Sequence, residues 1–213
     1  SDGKGTFLEN FQAARKQGMS WIYTADHNAD MAYSYDRVNF DTANQAMNTK
    51  HFLAVYGTEV TTHMGHMVLH DVDDYYIPES TESKHNDIPT GITAKAWQDL
   101  INCTIKDNVI SWLGHPFATT PYPGLSMEPN NTDIYTGFTG IEIINLGESV
   151  GRYGGNTVSS TLKVYATEYW DRMNIKGEKK YFGISNTDAH VPEDVGLFYN
   201  GLLMEDLSED SIN

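Results

Sequence analysis

Four apolar segments with strand-like sequences each end in a side chain that can bind a metal ion. These side chains are His27, Glu59, His115 and Asp188, in chain order. When strands run parallel in a barrel, their carboxyl ends meet at one rim, where the chemistry of such proteins takes place. One histidine at a strand end would carry little weight, whereas four such endings predict a site for more than one ion. The pattern therefore favours a metal-dependent hydrolase.

The chain alternates between predicted strands and predicted helices. Strands are expected at 20–25, 51–60, 109–114, 140–145, 181–185 and 201–204, and helices at 5–18, 35–50, 93–107 and 157–175. A hairpin-like continuation over 65–69 follows the second strand. This alternation predicts an α/β fold in which helices connect parallel strands. Because the polar residues gather at strand ends, we expect a closed barrel, formed by a single domain over residues 1–213.

The predicted helices carry apolar residues at helical spacing, which identifies the faces that cover the sheet. In the helix at 35–50, the inner face is expected at Val38, Ala43, Ala46 and Met47. In the helix at 93–107, the inner face is expected to include Ile105.

The chain is acidic, with 29 Asp and Glu residues against 14 Lys and Arg residues and a net charge of −15. Such a charge repels nucleic-acid backbones and anionic membranes, so we expect no nucleic-acid surface. No segment approaches the roughly 20 apolar residues of a membrane span. The single cysteine, Cys103, excludes an internal disulfide and a thiolate zinc cluster. Abundant Asn, Thr and Tyr favour export from a bacterial cell, with a cytoplasmic location as the alternative.

Two closely spaced pairs of residues are the most informative candidates for metal ligands. In Asp188-x-His190, the period of two along an extended chain puts both side chains on one face, so both can bind. The competing explanation is a turn capped by Asp188 beside an exposed histidine. Adjacent extended residues point in opposite directions, so we choose His27 as a ligand and expect Asp26 to orient another ligand or to brace the loop. Imidazole and carboxylate together suit Zn²⁺, Mn²⁺ or Fe²⁺.

The sequence supports the remaining candidate metal ligands to different degrees. Glu59 follows an apolar strand, where an isolated charge is costly, and a metal ion is its expected partner. His66 can turn back toward the mouth of the barrel, and His115 precedes a proline that ends its strand. The other histidines are expected to lie in loops or in solvent and not to bind metal: His51, His63, His70 and His85.

In their order along the chain, these motifs resemble the PHP (polymerase and histidinol phosphatase) superfamily. The motifs are Thr24-Ala25-Asp26-His27-Asn28, Gly57-x-Glu59 with Gly65-His66, Gly114-His115-Pro116, Gly140-Ile141-Glu142 with Asn145, and Ser185-Asn186-Thr187-Asp188-Ala189-His190. The Gly-Thr-Glu-Val-Thr-Thr and Gly-His-Met segments are similar to the CehA/McbA-type metallohydrolase branch. The resemblance implies a distorted (β/α)₇ TIM-like barrel holding two or three divalent ions, Mn, Zn or Fe. It implies these ligands: Asp2, His27, Glu59, His66, His115, Asp188 and His190.

The chain departs from this family at its start. The family begins with a strand that ends in His-x-His, a short distance ahead of its Ser-Asp-Gly motif, and this chain contains no such pair. We therefore expect a barrel that lacks its first strand in this chain and a domain clipped at both ends. The activity of this fragment is left open by that departure.

The resemblance implies hydrolysis of a phosphate monoester or a small phosphodiester by a metal-bound hydroxide. His190, Asp188 and Arg152 are the candidate catalytic residues. His190 is expected to protonate the leaving group, and Arg152 to clamp a phosphate oxygen. Asn145 is expected to bind the substrate, as Arg152 does, or to bond one of the metal ligands. The competing explanations are an exposed arginine and an asparagine that stabilises a turn.

Two other functions remain open at this point. The same hydroxide can attack the carbonyl group of an amide, an ester or a carbamate. Alternatively, the chain is a non-catalytic module with a degenerate site. In either hydrolase the expected partner is a small-molecule substrate.

Overall fold

The structure is a computed structural model that describes residues 3–27, 33–47, 49, 51–62, 65–70, 94–106, 108–116, 136–145, 160–177 and 179–208. Within these ranges, side chains are described except at 33–36, 61, 62, 65, 94–97, 100, 103 and 160–165. The expectations for Asp2, His63, His85, Arg152 and the Cys103 side chain lie outside this part of the chain.

The described residues form four α-helices: α1 (Phe7–Lys16), α2 (Tyr33–Met47), α3 (Ala94–Lys106) and α4 (Ser160–Lys176). A capping box starts α1. The hydroxyl oxygen of Thr6 accepts from the Glu9 N–H at 3.2 Å, and the Glu9 carboxylate accepts from the Thr6 N–H at 2.9 Å. Among the described residues, no helix has the length and apolar character needed to cross a membrane.

The strands are β1 (Trp21–Tyr23), β2 (Asp26–His27), β3 (Leu53–Val55), β4 (Gly57–Thr62), β5 (Gly65–His70), β6 (Ser111–Gly114), β7 (Gly140–Asn145) and β8 (Phe182–Asn186). β1 and β3 pair in parallel as a two-stranded sheet, and the other strands form a sheet in the order β2-β4-β5-β6-β7-β8. β5 runs antiparallel to both of its neighbours, whereas the other pairs are parallel. The prediction of an α/β fold is confirmed, with a mixed sheet in place of a purely parallel one.

Alternation along β5 separates the core from the site. Met67 and Leu69 are fully buried in a cluster that also contains Ile101 of α3 and Leu113 of β6. Because successive side chains of a strand face opposite sides of the sheet, His66 faces away from this core. The hairpin of β4 and β5 thus carries a histidine to the side of the sheet opposite α3 and α4.

A second core, built around aromatic rings, joins α1 and α2 to β3. Phe11 is fully buried and lies with its ring centroid 5.6 Å from that of Phe40 and 6.2 Å from that of Phe52. Phe40, which the sequence pattern did not select, is part of the inner face of α2. Val38, which it did select, is 61% exposed.

Sequence predictions of two further kinds are wrong: two residues assigned to inner helix faces, and one strand. Ile105 is half exposed at 51% and not part of the inner face of α3, and Ala46 is exposed on α2. Residues 201–204 form no strand, and the side chain of Leu203 is fully exposed. Both kinds of error concern apolar residues whose burial depends on contacts with distant segments of the chain.

An asparagine side chain occupies the outer edge of β8. Asn200 Oδ1 accepts from the Ser185 N–H at 2.8 Å, and Asn200 Nδ2 donates to the Ser185 carbonyl at 2.7 Å. In the described part of the chain, β8 is the last strand of its sheet, so this amide pairs with backbone groups that no strand reaches.

His70, at the end of β5, is a buried histidine without a hydrogen-bond partner among the described residues. It is 2% exposed, and both of its ring nitrogens are unpaired. Its ring centroid lies 3.6 Å from that of Tyr23 and 3.7 Å from that of Trp112. Burial holds the pKa of His70 well below its ordinary value, so the folded protein keeps this imidazole neutral.

We therefore expect His70 to make the fold sensitive to acid. The unfolded chain takes up a proton on this side chain below its ordinary pKa of about 6.5, whereas the folded chain does not. The folded state should lose about 1.4 kcal/mol of stability per pH unit through this group as the pH falls below that value. His70→Phe should reduce the slope of unfolding free energy against pH by one proton between pH values of about 6.5 and 5. Urea denaturation at several pH values measures this slope.

The exposed His51 provides the control for this prediction. His51→Gln should leave the slope at its wild-type value. Equal slopes for wild type and His70→Phe would show that His70 does not contribute to acid sensitivity.

Candidate metal centre

Glu59 lies at the centre of a cluster of three imidazoles. Its Oε1 is 2.5 Å from Nδ1 of His66 and 3.2 Å from Nε2 of His115. Its Oε2 is 3.7 Å from Nδ1 of His27. Glu59, His66 and His115 are buried, and His27 is half-buried. Four candidate ligands from separate strands therefore converge on one point.

The register of the sheet explains this convergence. His27 lies opposite Glu59 in the parallel pair of β2 and β4. His66 lies opposite Gly114 in the antiparallel pair of β5 and β6, and His115 follows directly. β5 runs antiparallel to its neighbours. His66, near the start of β5, therefore lies at the same rim as His27 and His115 at the ends of β2 and β6.

Asp188 and His190 follow β8 on the side next to His115. The charges of Glu59 and His115 both act on the pKa of the Asp188 carboxyl group. Nδ1 of His190 lies 2.8 Å from the main-chain oxygen of Asp188 and 3.8 Å from Oδ1 of its carboxylate. Since a carbonyl oxygen only accepts, Nδ1 of His190 carries a proton in this arrangement.

A cavity of about 750 Å³ adjoins these residues. Its described lining includes Asp26, Glu59, His115, Asp188 and His190, together with aromatic and aliphatic side chains. His27 is connected to the cavity through its contact with Glu59. None of the lining residues that the structure describes is a lysine or arginine. The described polar end of the cavity is therefore rich in carboxylate and imidazole and holds no lysine or arginine.

The donor set suits a divalent transition-metal ion. One ligand atom each from His27, Glu59 and His66 lies within 4.8 Å of the other two. Two atoms that bind one zinc ion at about 2.1 Å can be at most about 4.2 Å apart, so this spacing is close to what one ion requires. Two imidazoles and a carboxylate are the ligands that Zn²⁺, Mn²⁺ and Fe²⁺ accept. The residues present fit such an ion.

Three solved structures resemble the chain in fold. One is a proposed metal-dependent phosphoesterase from Bifidobacterium adolescentis, with 14% identity, a TM-score of 0.55, and coverage of 99% of this chain and 90% of that one. A lesion-specific endonuclease from Pyrococcus furiosus has 15% identity and a TM-score of 0.58 over 97% of this chain and 50% of its own. An amidohydrolase from Chromobacterium violaceum has 14% identity and a TM-score of 0.55 over 94% and 88%. These proteins share its fold.

At these identities the likeness establishes the fold and leaves the reaction to be argued from the site. By sequence, no family profile and no curated protein matches the chain. The shared fold agrees with the PHP-type α/β architecture that the motifs imply. The residues around Glu59 are therefore the basis for any statement about activity.

Charges within the cluster shift the pKa values of its members in different directions. Burial works against ionised Glu59, but the charges of His27 and His66 and hydrogen bonds from His115 and His66 hold the pKa of Glu59 well below its ordinary value. Burial lowers the pKa of His66 more than Glu59 raises it. Burial also opposes a charge on His115, yet the hydrogen bond and charge of Glu59 raise the pKa of His115 to about 10.

The pKa of Asp188 is raised, first by burial and then by the charge of Glu59. These shifts favour an ionised carboxylate at Glu59 and a proton on the neighbouring His115. A divalent ion binding there would compete with that proton, because metal ligands must be deprotonated.

One acidic residue of the site was not selected from the sequence. Glu142 is 1% exposed in the middle of β7 and lines the cavity. It accepts a hydrogen bond from the main-chain N–H of His115. The signal that could have identified it is a carboxylate between isoleucines of a buried strand, where a charge needs a partner.

Two sequence-selected residues have the following contacts, and their proposed roles stay predictions. Asn145, expected to bind the substrate or a metal ligand, places Nδ2 3.2 Å from Oε1 of Glu142 and 3.4 Å from Oδ2 of Asp188, one of the predicted ligands. Asp26, expected to orient another ligand or to brace its loop, accepts at its main-chain oxygen from the hydroxyl of Thr58 at 3.1 Å. Asp2 and Arg152 lie outside the described residues, so their proposed roles stay predictions.

Proposed function

We propose that this chain is a metal-dependent hydrolase of the PHP superfamily and that its preferred reaction is hydrolysis of a small phosphate ester. The observation that carries this proposal is Glu59, a buried carboxylate surrounded by the imidazoles of His27, His66 and His115. Its distances to them are 2.5–3.7 Å, and the cluster adjoins a cavity large enough for a small substrate.

His27, Glu59 and His66 would hold one divalent ion. His115, Asp188 and His190 extend the set of donors along the same rim, which supports a centre of two or three ions, with Asp2 as one more ligand. Such ions, Mn, Zn or Fe, supply a Lewis acid and lower the pKa of a coordinated water. We further propose that the two sheets belong to a closed (β/α)₇ barrel of the CehA/McbA type, formed by one domain.

The chain's own residues have distinct roles in this proposal. His190 has a proton on Nδ1, so Nε2 is the nitrogen that can hold an ion or, when it holds none, exchange a proton with the leaving group. Asp188 orients His190 through its main-chain oxygen and adds negative charge beside His115. Arg152 is the proposed clamp for a phosphate oxygen, because a guanidinium group matches that geometry.

One observation favours a second candidate reaction. The described cavity lining contains no lysine or arginine, and the chain is strongly acidic. A neutral amide, ester or carbamate would avoid the repulsion that a phosphate dianion meets in such a cavity. Both reactions use the same metal-binding residues. Hydrolysis of a phosphate ester also needs a cation outside the described lining to balance the charge of the substrate, whereas hydrolysis of a neutral substrate does not.

A panel of chromogenic substrates with one leaving group tests the proposal. The protein would be stripped with a chelator and reloaded with Mn²⁺, Zn²⁺ or Fe²⁺. Hydrolysis of p-nitrophenyl phosphate, p-nitrophenyl acetate and a p-nitrophenyl carbamate would then be followed by absorbance. We expect metal-dependent release of p-nitrophenol from the phosphate, and bound metal by elemental analysis.

Each outcome of this panel decides between the candidates. Metal-dependent turnover of the acetate or carbamate without the phosphate would replace phosphoesterase by carbonyl hydrolase. A protein that takes up no divalent ion and hydrolyses none of the three would be a non-catalytic module, and the proposed function would be wrong.

A further inference from the structure

Glu142 and Asn145 on β7 connect two of the proposed metal ligands. The Glu142 carboxylate accepts from the main-chain N–H of His115 through Oε2 and from Asn145 Nδ2 through Oε1, at 3.2 Å for the second contact. The same Nδ2 lies 3.4 Å from Oδ2 of Asp188. We call these two residues the Glu142–Asn145 bracket, because they join the backbone of His115 to the carboxylate of Asp188.

The two residues joined by the bracket have an unusual backbone. His115 has a φ of 21° and Asp188 a φ of 45°, in the left-handed region that residues other than glycine rarely adopt. The other described non-glycine residue with positive φ is Asn108, a type that tolerates this region well. Disfavoured backbone conformations persist where surrounding contacts hold them in place, and they cluster at functional sites.

The two residues of the bracket are buried, which is costly for polar groups that lack hydrogen-bond partners. Glu142 is 1% and Asn145 2% exposed, so their polar groups have left water. A buried carboxylate is tolerated when N–H groups donate to it, and here the donors are a main-chain amide of the site and a side-chain amide. Both Glu142 oxygens are engaged by nitrogen donors, an arrangement that suits a support more than a ligand.

We propose that the Glu142–Asn145 bracket is a positioning device that fixes the His115 imidazole and the Asp188 carboxylate for binding a divalent ion. The inference rests on the proposed function. Residues that orient metal ligands contribute to affinity without touching the ion, and their loss costs about 10–100-fold in affinity.

Glu142→Ala and Asn145→Ala test the bracket through metal affinity and through the metal-free protein. Each variant should bind Zn²⁺ about 10–100-fold more weakly by calorimetry, and the visible spectrum of the Co²⁺ form should change. The double variant should be little weaker than the worse single variant, because both changes open the same link. Without metal, the His115 amide of Glu142→Ala should exchange with solvent faster than in wild type.

A buried polar contact outside the cavity lining provides the matched control. Thr104 is fully buried and 3.3 Å from the hydroxyl of Ser111. Thr104→Val should change stability without changing Zn²⁺ affinity or the Co²⁺ spectrum. A loss of affinity in this control equal to that of Glu142→Ala would overturn the proposal, because general destabilisation would then explain both.

Glu142→Gln separates positioning from direct ligation. It keeps an oxygen for the His115 N–H, so its affinity should lie between those of wild type and Glu142→Ala. If it loses as much affinity as replacement of Glu59, Glu142 is itself a ligand and the bracket is overturned. Failure of wild type to bind any ion would count against the proposed function, whereas unchanged His115 amide exchange in Glu142→Ala would count against the bracket alone.

Discussion

Glu59→Gln should weaken metal binding by at least about 100-fold, the upper end of what supporting residues contribute, and should reduce hydrolysis to the same extent. The substitution keeps the size of the side chain and removes its charge. Glu59 is the carboxylate that all three imidazoles of the cluster approach, at 2.5 Å for His66, 3.2 Å for His115 and 3.7 Å for His27. Its removal leaves the ion proposed between His27, Glu59 and His66 without a charged ligand.

The measurement is calorimetric titration with Zn²⁺ or Mn²⁺, together with turnover of whichever substrate the wild-type protein hydrolyses. Glu168→Gln, an equivalent change at an exposed position of α4, should leave both quantities unchanged. Urea denaturation of the metal-free protein verifies that Glu59→Gln still folds. Wild-type metal affinity in a folded Glu59→Gln protein would remove the basis of the proposed function.

Gly57→Ala should destabilise the fold by about 1–3 kcal/mol, the range for inserting a methyl group into a well-packed region. A Cβ at this position would lie 2.5 Å from the carbonyl oxygen of Leu69 and 2.8 Å from that of Thr24. Both neighbours are backbone atoms in or beside strands, so they can move only with their strands. We expect metal affinity to fall as well, because Gly57 lies two residues before Glu59.

Gly201→Ala is the matched control, because among the described residues no atom beyond its chain neighbours lies within 4 Å of the corresponding Cβ. Its unfolding midpoint in urea should equal that of wild type or lie slightly higher, since alanine restricts the unfolded chain. If Gly57→Ala unfolds at the same urea concentration as wild type, β4 and its neighbouring strands can separate at little cost. That result would contradict the close backbone packing around Gly57.

The sequence was informative where a strand ends in a polar residue. His27, Glu59, His115, Asp188 and His190 were selected because apolar runs precede them, and the structure brings these residues to one rim. Their roles as ligands stay a prediction. The alternation of strands and helices also identified the α/β fold. Such local signals work because the direction of parallel strands fixes which ends meet.

The sequence was least informative where contacts come from distant segments. His70 resembles a loop histidine in the sequence, but the register of β5 places it between the rings of Tyr23 and Trp112. Glu142 sits inside an apolar run, so its contact with the His115 backbone is visible only once β6 and β7 are paired. The aromatic neighbours of His70 and the backbone contact of Glu142 could not be inferred from spacing along the chain.

Apolar patterns misled in two places for a related reason. Leu203 lies in a run that resembles a strand, yet a strand needs a partner, and none of the described strands pairs with this segment. Val38 fits the period of a helix face, but the aromatic cluster around Phe11 selects Phe40 instead. Periodicity gives the possible faces, and the packing of the whole chain decides which one is buried.

The amide of Asn200 has a consequence for how copies of this protein behave at high concentration. An unoccupied strand edge is a template onto which a foreign chain can add, and this is a common route to fibrils. By engaging both backbone groups of Ser185, Asn200 interrupts that template near the end of β8. We therefore expect this carboxamide, together with the negative charge of the chain, to oppose pairing between copies at that edge.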